Sequence, residues 1–134
     1  MLALVALILC CGSRSHNPQA NGTGVTLVGR MTNPTGNDFS YFGSAIDSIN
    51  GTLLIAGALG NNVGPFTGAG DAYMIAVDSD RGSLNQTCVL SHPDPQVFAS
   101  FGGNVAIAGP WLVISTRSYN GEYDKQGAVD LYKV

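Results

Sequence analysis

The sequence predicts an all-β fold of antiparallel sheets, and three observations carry that prediction. Short apolar runs, such as residues 52–58 and 111–116, are broken by Gly, Asn and Pro. No window shows the 3.6-residue apolar period of an amphipathic helix. Finally, the chain repeats itself. Residues 42–78 open on Phe42-Gly43, pass through Leu53-Leu54-Ile55 and Gly57-Ala58, cross a Gly-rich stretch and close on an apolar run. Residues 101–134 follow the same order in shorter form, from Phe101-Gly102 through Leu112-Val113-Ile114, at an offset of 59 residues. A shared order of features at fixed spacing marks an internal repeat.

Eight strands are expected. Residues 25–31 (VTLVGRM) are rich in β-branched side chains and partly alternate, so they read as a first strand. Residues 33–38 (NPTGND) break it, because Pro lacks a donor N–H and Asn and Gly tolerate turn geometry. In the first copy, residues 44–49 and 52–58 form a hairpin about Asn50-Gly51, a pair that accepts positive φ at both positions. Residues 60–70 are a Gly- and Asn-rich loop, followed by strands at 71–77 and 84–91. His92-Pro93-Asp94-Pro95 ends that run, and the second copy supplies strands at 104–108, 111–116 and 128–134.

The two copies resemble the FG-GAP repeats of β-propellers, best known from integrin alpha subunits. The resemblance rests on Phe42-Gly43 with residues 53–58 and 70–77, and on Phe101-Gly102 with residues 112–115 and 127–132. The Gly-Ala-Pro triplet has become Gly57-Ala58-Leu59 in one copy and Ser115-Thr116-Arg117 in the other. The resemblance implies four-stranded antiparallel blades of a partial β-propeller, about two of them, over residues 25–134. The strand at 25–31 would then be the outer strand of a preceding blade, and the register reads as cut from a longer array. A collapsed two-sheet β-sandwich is the alternative arrangement. Phe42 and Phe101 are expected to fill the wedge between sheets, while Gly43 and Gly102 let the backbone turn or pass close to its neighbour. A two-blade piece leaves two apolar faces outward, from residues 52–58 and 111–116. Self-association that completes the ring is the expected escape.

Composition limits the remaining choices. The chain has 134 residues, 18 Gly, 11% charged residues and a net charge of −3. That is room for one domain with a core, and the charge content argues against a disordered tail. The six Lys and Arg are scattered, which excludes the basic footprint of a nucleic-acid binder. Residues 1–11 are apolar, about half the length of a membrane span, and small residues follow. Residues 1–13 therefore read as a secretion signal and 14–24 as a linker, placing the protein outside the cell with no membrane span. Of three cysteines, Cys10 and Cys11 fall in the signal, and Cys88 reads as a small buried hydrophobe. The Asn-x-Ser/Thr acceptors are Asn21, Asn50 and Asn85.

Catalytic and metal chemistry find little support. The resembled family often binds calcium between its first two strands, through a loop of oxygen ligands around a glycine. Aligning Gly51 there puts Ile46, Ser48, Asn50 and Leu54 at ligand positions, and aligning Gly109 puts Asn104, Ala106, Ala108 and Leu112 there. Asp78 and Asp80 share one turn, which reads as a solvated hairpin. No metal and no cofactor are expected. His92 reads as an exposed turn residue, and no nucleophile elbow or phosphate loop accompanies it. The function that follows is a non-enzymatic extracellular binding or adhesion module. It would recognise a protein or glycan through loops 60–70 and 118–125, with Tyr119 and Tyr123 as contacts. Alternatives are a non-catalytic accessory domain of a secreted hydrolase and a gene fragment without an independent role.

Overall fold

The computed structural model describes residues 27–134. The expected signal, the linker and Asn21 lie outside them. Seven strands form two antiparallel sheets, with no helix among the described residues. Sheet one runs in chain order through β1 (Phe42–Ile49), β2 (Leu53–Ala58), β3 (Asp71–Asp78) and β4 (Ser83–Ser91). Sheet two holds β5 (Phe101–Ala108), β6 (Trp111–Thr116) and β7 (Ala128–Lys133), again in chain order. The β1–β2 turn bears out the Asn-Gly reading. Asn50 and Gly51 have φ of 52° and 66°, and Thr52 N–H closes the turn on Ile49 O at 3.2 Å.

The sequence repeat is also a structural one. Phe42 pairs with Ala58 and Phe101 with Thr116, and each Phe-Gly pair leads into a register shift, at 42/46 and at 101/105. Gly43 and Gly102 both take left-handed backbone, with φ of 85° and 82°. β1 and β5 accordingly begin at the Phe of each pair rather than two or three residues later. The irregularity keeps each Phe paired with its neighbouring strand while the Gly after it takes the left-handed turn of the chain.

How the sheets stack decides between the two expected arrangements. Leu54 and Ala56 of β2 are the repeat equivalents of Leu112 and Ile114 of β6. In a face-to-face sandwich these equivalents would share one core. Instead Leu112, Ile114, Ile107 and Phe101 pack with Ile55 and Ala72, on the opposite face of sheet one. Leu54 and Ala56 join Tyr73 and Ile75 in a separate cluster. The sheets therefore stack front to back, as successive blades do. β5 lies against β1 and β2, and the two backbones touch through glycines: a Cβ on Gly57 or Gly102 would collide with the Gly102 or Asp71 carbonyl, respectively. Asp47 spans the same seam, its Oδ2 accepting the Ile107 N–H at 2.8 Å.

Four expectations are corrected. Residues 27–31 are not a strand. Met31 packs on the Leu54–Tyr73 cluster and Gly29 lies close to the Gly82 carbonyl, so this segment covers a face of sheet one instead of pairing as a strand. Strand 52–58 is consequently buried on both faces, and among the described residues the open apolar face belongs to sheet two. Cys88 is an exposed free thiol, because β4 is the outer strand and β5 reaches only as far as the margin of β3. His92 is buried, at 8% exposure, beneath the second sheet.

Candidate binding cleft

Just before each Phe-Gly pair the backbone enters the left-handed region twice. Phe39 and Tyr41 have φ of 54° and 53°, and Phe98 and Ser100 have φ of 58° and 62°. Bulky residues avoid this region, because Cβ crowds the following carbonyl. The payoff lies in what sits between them: Ser40 and Ala99 turn inward and are buried. Matching hydrogen bonds pin both copies, Gly60 N–H to Ser40 O at 3.0 Å and Ser118 N–H to Ala99 O at 2.9 Å.

In the second copy this segment is laced to the loop of the first. Phe98, Ser100 and Phe101 donate their N–H groups to Thr67, Gly68 and Ala69 carbonyls at 2.8, 3.1 and 2.7 Å. The 60–70 loop is itself ordered from within. Val63 and Phe66 exchange both backbone hydrogen bonds across Gly64-Pro65, and Asn62 Oδ1 accepts Gly68 N–H at 3.0 Å. Asn61, fully buried, anchors its base. Asn61 Nδ2 donates to Tyr73 Oη at 2.6 Å and to Asp71 Oδ2 at 3.2 Å, and Oδ1 accepts from Asn33 Nδ2 at 3.0 Å. Burial raises the Asp71 carboxyl above its ordinary value, opposed by hydrogen bonds from Ser91 and Asn61.

Between these segments lies a cleft of about 750 Å³. Phe39 and Tyr41 wall one side and Phe98 and Ser100 the other, with Gly60 and Gly68 at the floor. The glycines are what seat the rings. A Cβ on Gly60 would stand 2.9 Å from Tyr41 Cδ2, and one on Gly68 would stand 2.8 Å from Phe98 Cδ1. Even so, Phe39, Tyr41 and Phe98 remain 82%, 61% and 66% exposed. Asn37, Asn62 and Thr67 add amides and a hydroxyl, and Asp38 is the one ionisable group on the lining besides the Tyr41 phenol.

The residues singled out in the sequence separate into structural and surface roles. Phe101 is fully buried between the sheets and meets His92 edge-on at 5.9 Å, whereas half-buried Phe42 meets Tyr73 edge-on at 5.3 Å. Gly57, Ala58 and Gly102 form the seam. Gly43 sits at the edge, where a Cβ would meet Ile46 Cδ1 at 3.8 Å, an ordinary contact. Loop 60–70 borders the cleft; Tyr119 and Tyr123 do not. Tyr119 stacks on His92 at 4.6 Å and donates to Asp94 Oδ2 at 3.0 Å, a bond that raises its phenol, while Tyr123 is 68% exposed. Asn50 is exposed at its tight turn, and Asn85 is exposed on β4. Asp78 is committed to its own turn, accepting Arg81 N–H at 3.1 Å, with the Arg81 guanidinium 3.8 Å away. Among the described residues no three His, Cys, Asp or Glu side chains gather as metal ligands would.

His92 belongs to the sheet interface rather than to the cleft. Its Nδ1 accepts Asp94 N–H at 3.0 Å, and its Nε2 lies 3.5 Å from Asp130 Oδ2. Sequence reading missed the aromatic walls, although Phe39 and Phe98 stand at the same 59-residue offset as the Phe-Gly pairs. No family model and no curated protein matches the chain.

Proposed function

We propose that the chain is a non-catalytic extracellular binding module of FG-GAP-like propeller blades, holding a protein or glycan partner through the loops at its Phe-Gly ends. One observation carries this reading. The cleft between the two copies is lined by exposed aromatic rings and neutral polar groups, and its one carboxylate, Asp38, has no histidine beside it on the lining. Recognition sites have this make-up, with apolar walls and a few polar groups that fix orientation. General acid–base work needs titratable groups within hydrogen-bond reach of one another. Among the described residues the histidine, His92, is enclosed by Phe101 and Tyr119, away from the cleft.

The extracellular setting rests on residues 1–13, and the family reading on the repeat. A peptide library and a saccharide array probed with the labelled full chain test the reading together with a hydrolysis assay on the same ligands. Retention of intact ligand is the expected result. Turnover that disappears in a His92→Ala variant would overturn it in favour of an enzyme.

A further inference from the structure

We infer that the cleft is a saccharide subsite that takes a neutral pyranose between Phe39 and Tyr41 on one side and Phe98 on the other. This rests on the binding reading above and narrows it to one ligand class. The first support is the mismatch between residue type and backbone. Positions 39 and 98 hold φ of 54° and 58°, which glycine or asparagine would take at less cost. Both copies carry Phe there instead, and packing does not account for the rings, which stay 82% and 66% exposed. Residues kept in costly conformations without burial point to function. The neighbouring position of the repeat is Tyr41 in one copy and Ser100 in the other, so the backbone itself does not demand an aromatic.

Ligand chemistry follows from the lining. A pyranose has a face of C–H groups, which suits an aromatic surface, and a rim of hydroxyls, which both donate and accept. The rim groups match: Asp38 can accept from two hydroxyls, Thr67 can do either, and Asn62 keeps Nδ2 to donate after committing Oδ1 to Gly68 N–H. No Lys or Arg lines the cleft, so phosphorylated or sulfated ligands lack a counter-charge. An extended peptide is disfavoured for a different reason. Peptides add to free strand edges through main-chain hydrogen bonds, and the N–H groups of Phe98 and Ser100 already bond Thr67 and Gly68. At about 750 Å³ the cleft also lies within the usual range of small-ligand sites, roughly 300–1,000 Å³.

The test uses the full chain on an array of neutral and anionic oligosaccharides, beside a panned peptide library, with Phe39→Gly and Phe98→Gly variants. Glycine accepts positive φ, so both variants keep the fold, and an unchanged melting temperature checks this. The expected result is capture of a neutral oligosaccharide, with Kd about tenfold weaker for each ring removed, the size of one aromatic contact. Saturation transfer from protein to ring C–H protons of that oligosaccharide should fade in the same variants. Equal saccharide binding by wild type and variants would overturn the cleft assignment while leaving a glycan-binding module. Selection of peptides with no saccharide bound would overturn the ligand class and keep the binding reading. Silence on both arrays would overturn both.

Discussion

At the residue scale, Asn61 ties together the polar groups beneath loop 60–70. It is fully buried and bonds Tyr73, Asp71 and Asn33 at once, so Asn61→Ala removes a partner from three polar groups, with Asp71 keeping Ser91 and Tyr73 keeping Thr35. Buried groups left without partners cost about 1–3 kcal/mol each, more when charged. Partial rearrangement should hold the loss to about 2–4 kcal/mol in chemical denaturation. Asp71 adds a pH signature. Its native carboxyl is raised above the ordinary 3.8, chiefly by burial. The folded state therefore holds this proton to higher pH than the unfolded state does. Stability from this group is complete below 3.8 and is lost as pH rises through the raised native value. Asp71→Asn should remove that falling limb from the stability profile. It also sets an amide against Asn61 Nδ2, which shifts the curve without restoring its slope. An unchanged slope would show that Asp71 does not titrate differently on folding.

At the element scale, the two Phe-Gly pairs are equivalent in backbone but not in surroundings. Gly43 and Gly102 share left-handed φ, yet only Gly102 lies against another sheet, on the Asp71 carbonyl and the Ala58 N–H. Gly43→Ala should cost about 1–2 kcal/mol, the strain of left-handed backbone alone. Gly102→Ala pays the same strain and forces the sheets apart, so it should unfold the protein or lower its melting temperature far more. Equal effects in thermal melts would mean that the glycine seam does not set the spacing between blades. This asymmetry also shows where sequence stops being informative. The apolar run at 111–116 marked β6 without error, since its pattern depends only on its own residues. Residues 27–31 looked as much like a strand, but a strand needs an edge to pair with, and that is a property of the assembled sheets. Cys88 and His92 were misread for the same reason. Their burial depends on how far sheet two extends over sheet one, which no local pattern encodes. The cleft was half legible: loop 60–70 stood out by composition, whereas Phe39 and Phe98 draw notice only once their backbone is seen to be left-handed.

At the scale of the whole molecule, the repeat indicates what the outer face of sheet two is for. Trp111, Val113, Val129 and Leu131 occupy the positions that Leu53, Ile55, Ala72 and Met74 hold in sheet one. In sheet one that face is covered by β5, while in sheet two Trp111, Val129 and Leu131 are 47%, 69% and 63% exposed. A surface shaped to receive a neighbouring sheet, with apolar side chains in register, associates when it meets another apolar face. The outer edge of β7 adds to this. Its equivalent, β3, pairs along its length with β4, whereas β7 pairs only with β6 among the described residues. An unpaired edge beside an apolar face is a template for strand addition. Light scattering on the purified chain should therefore show mass rising with concentration above that of the 13.9 kDa monomer. Leu131→Lys places a charge on the open face and not in either core, so it should return the mass to monomer with little change in melting temperature. Glycan or peptide capture at the cleft should survive this change, because the face and the cleft are built from different residues. A wild-type chain that stays monomeric at every concentration would mean that this face tolerates water and that no further sheet is needed to complete it.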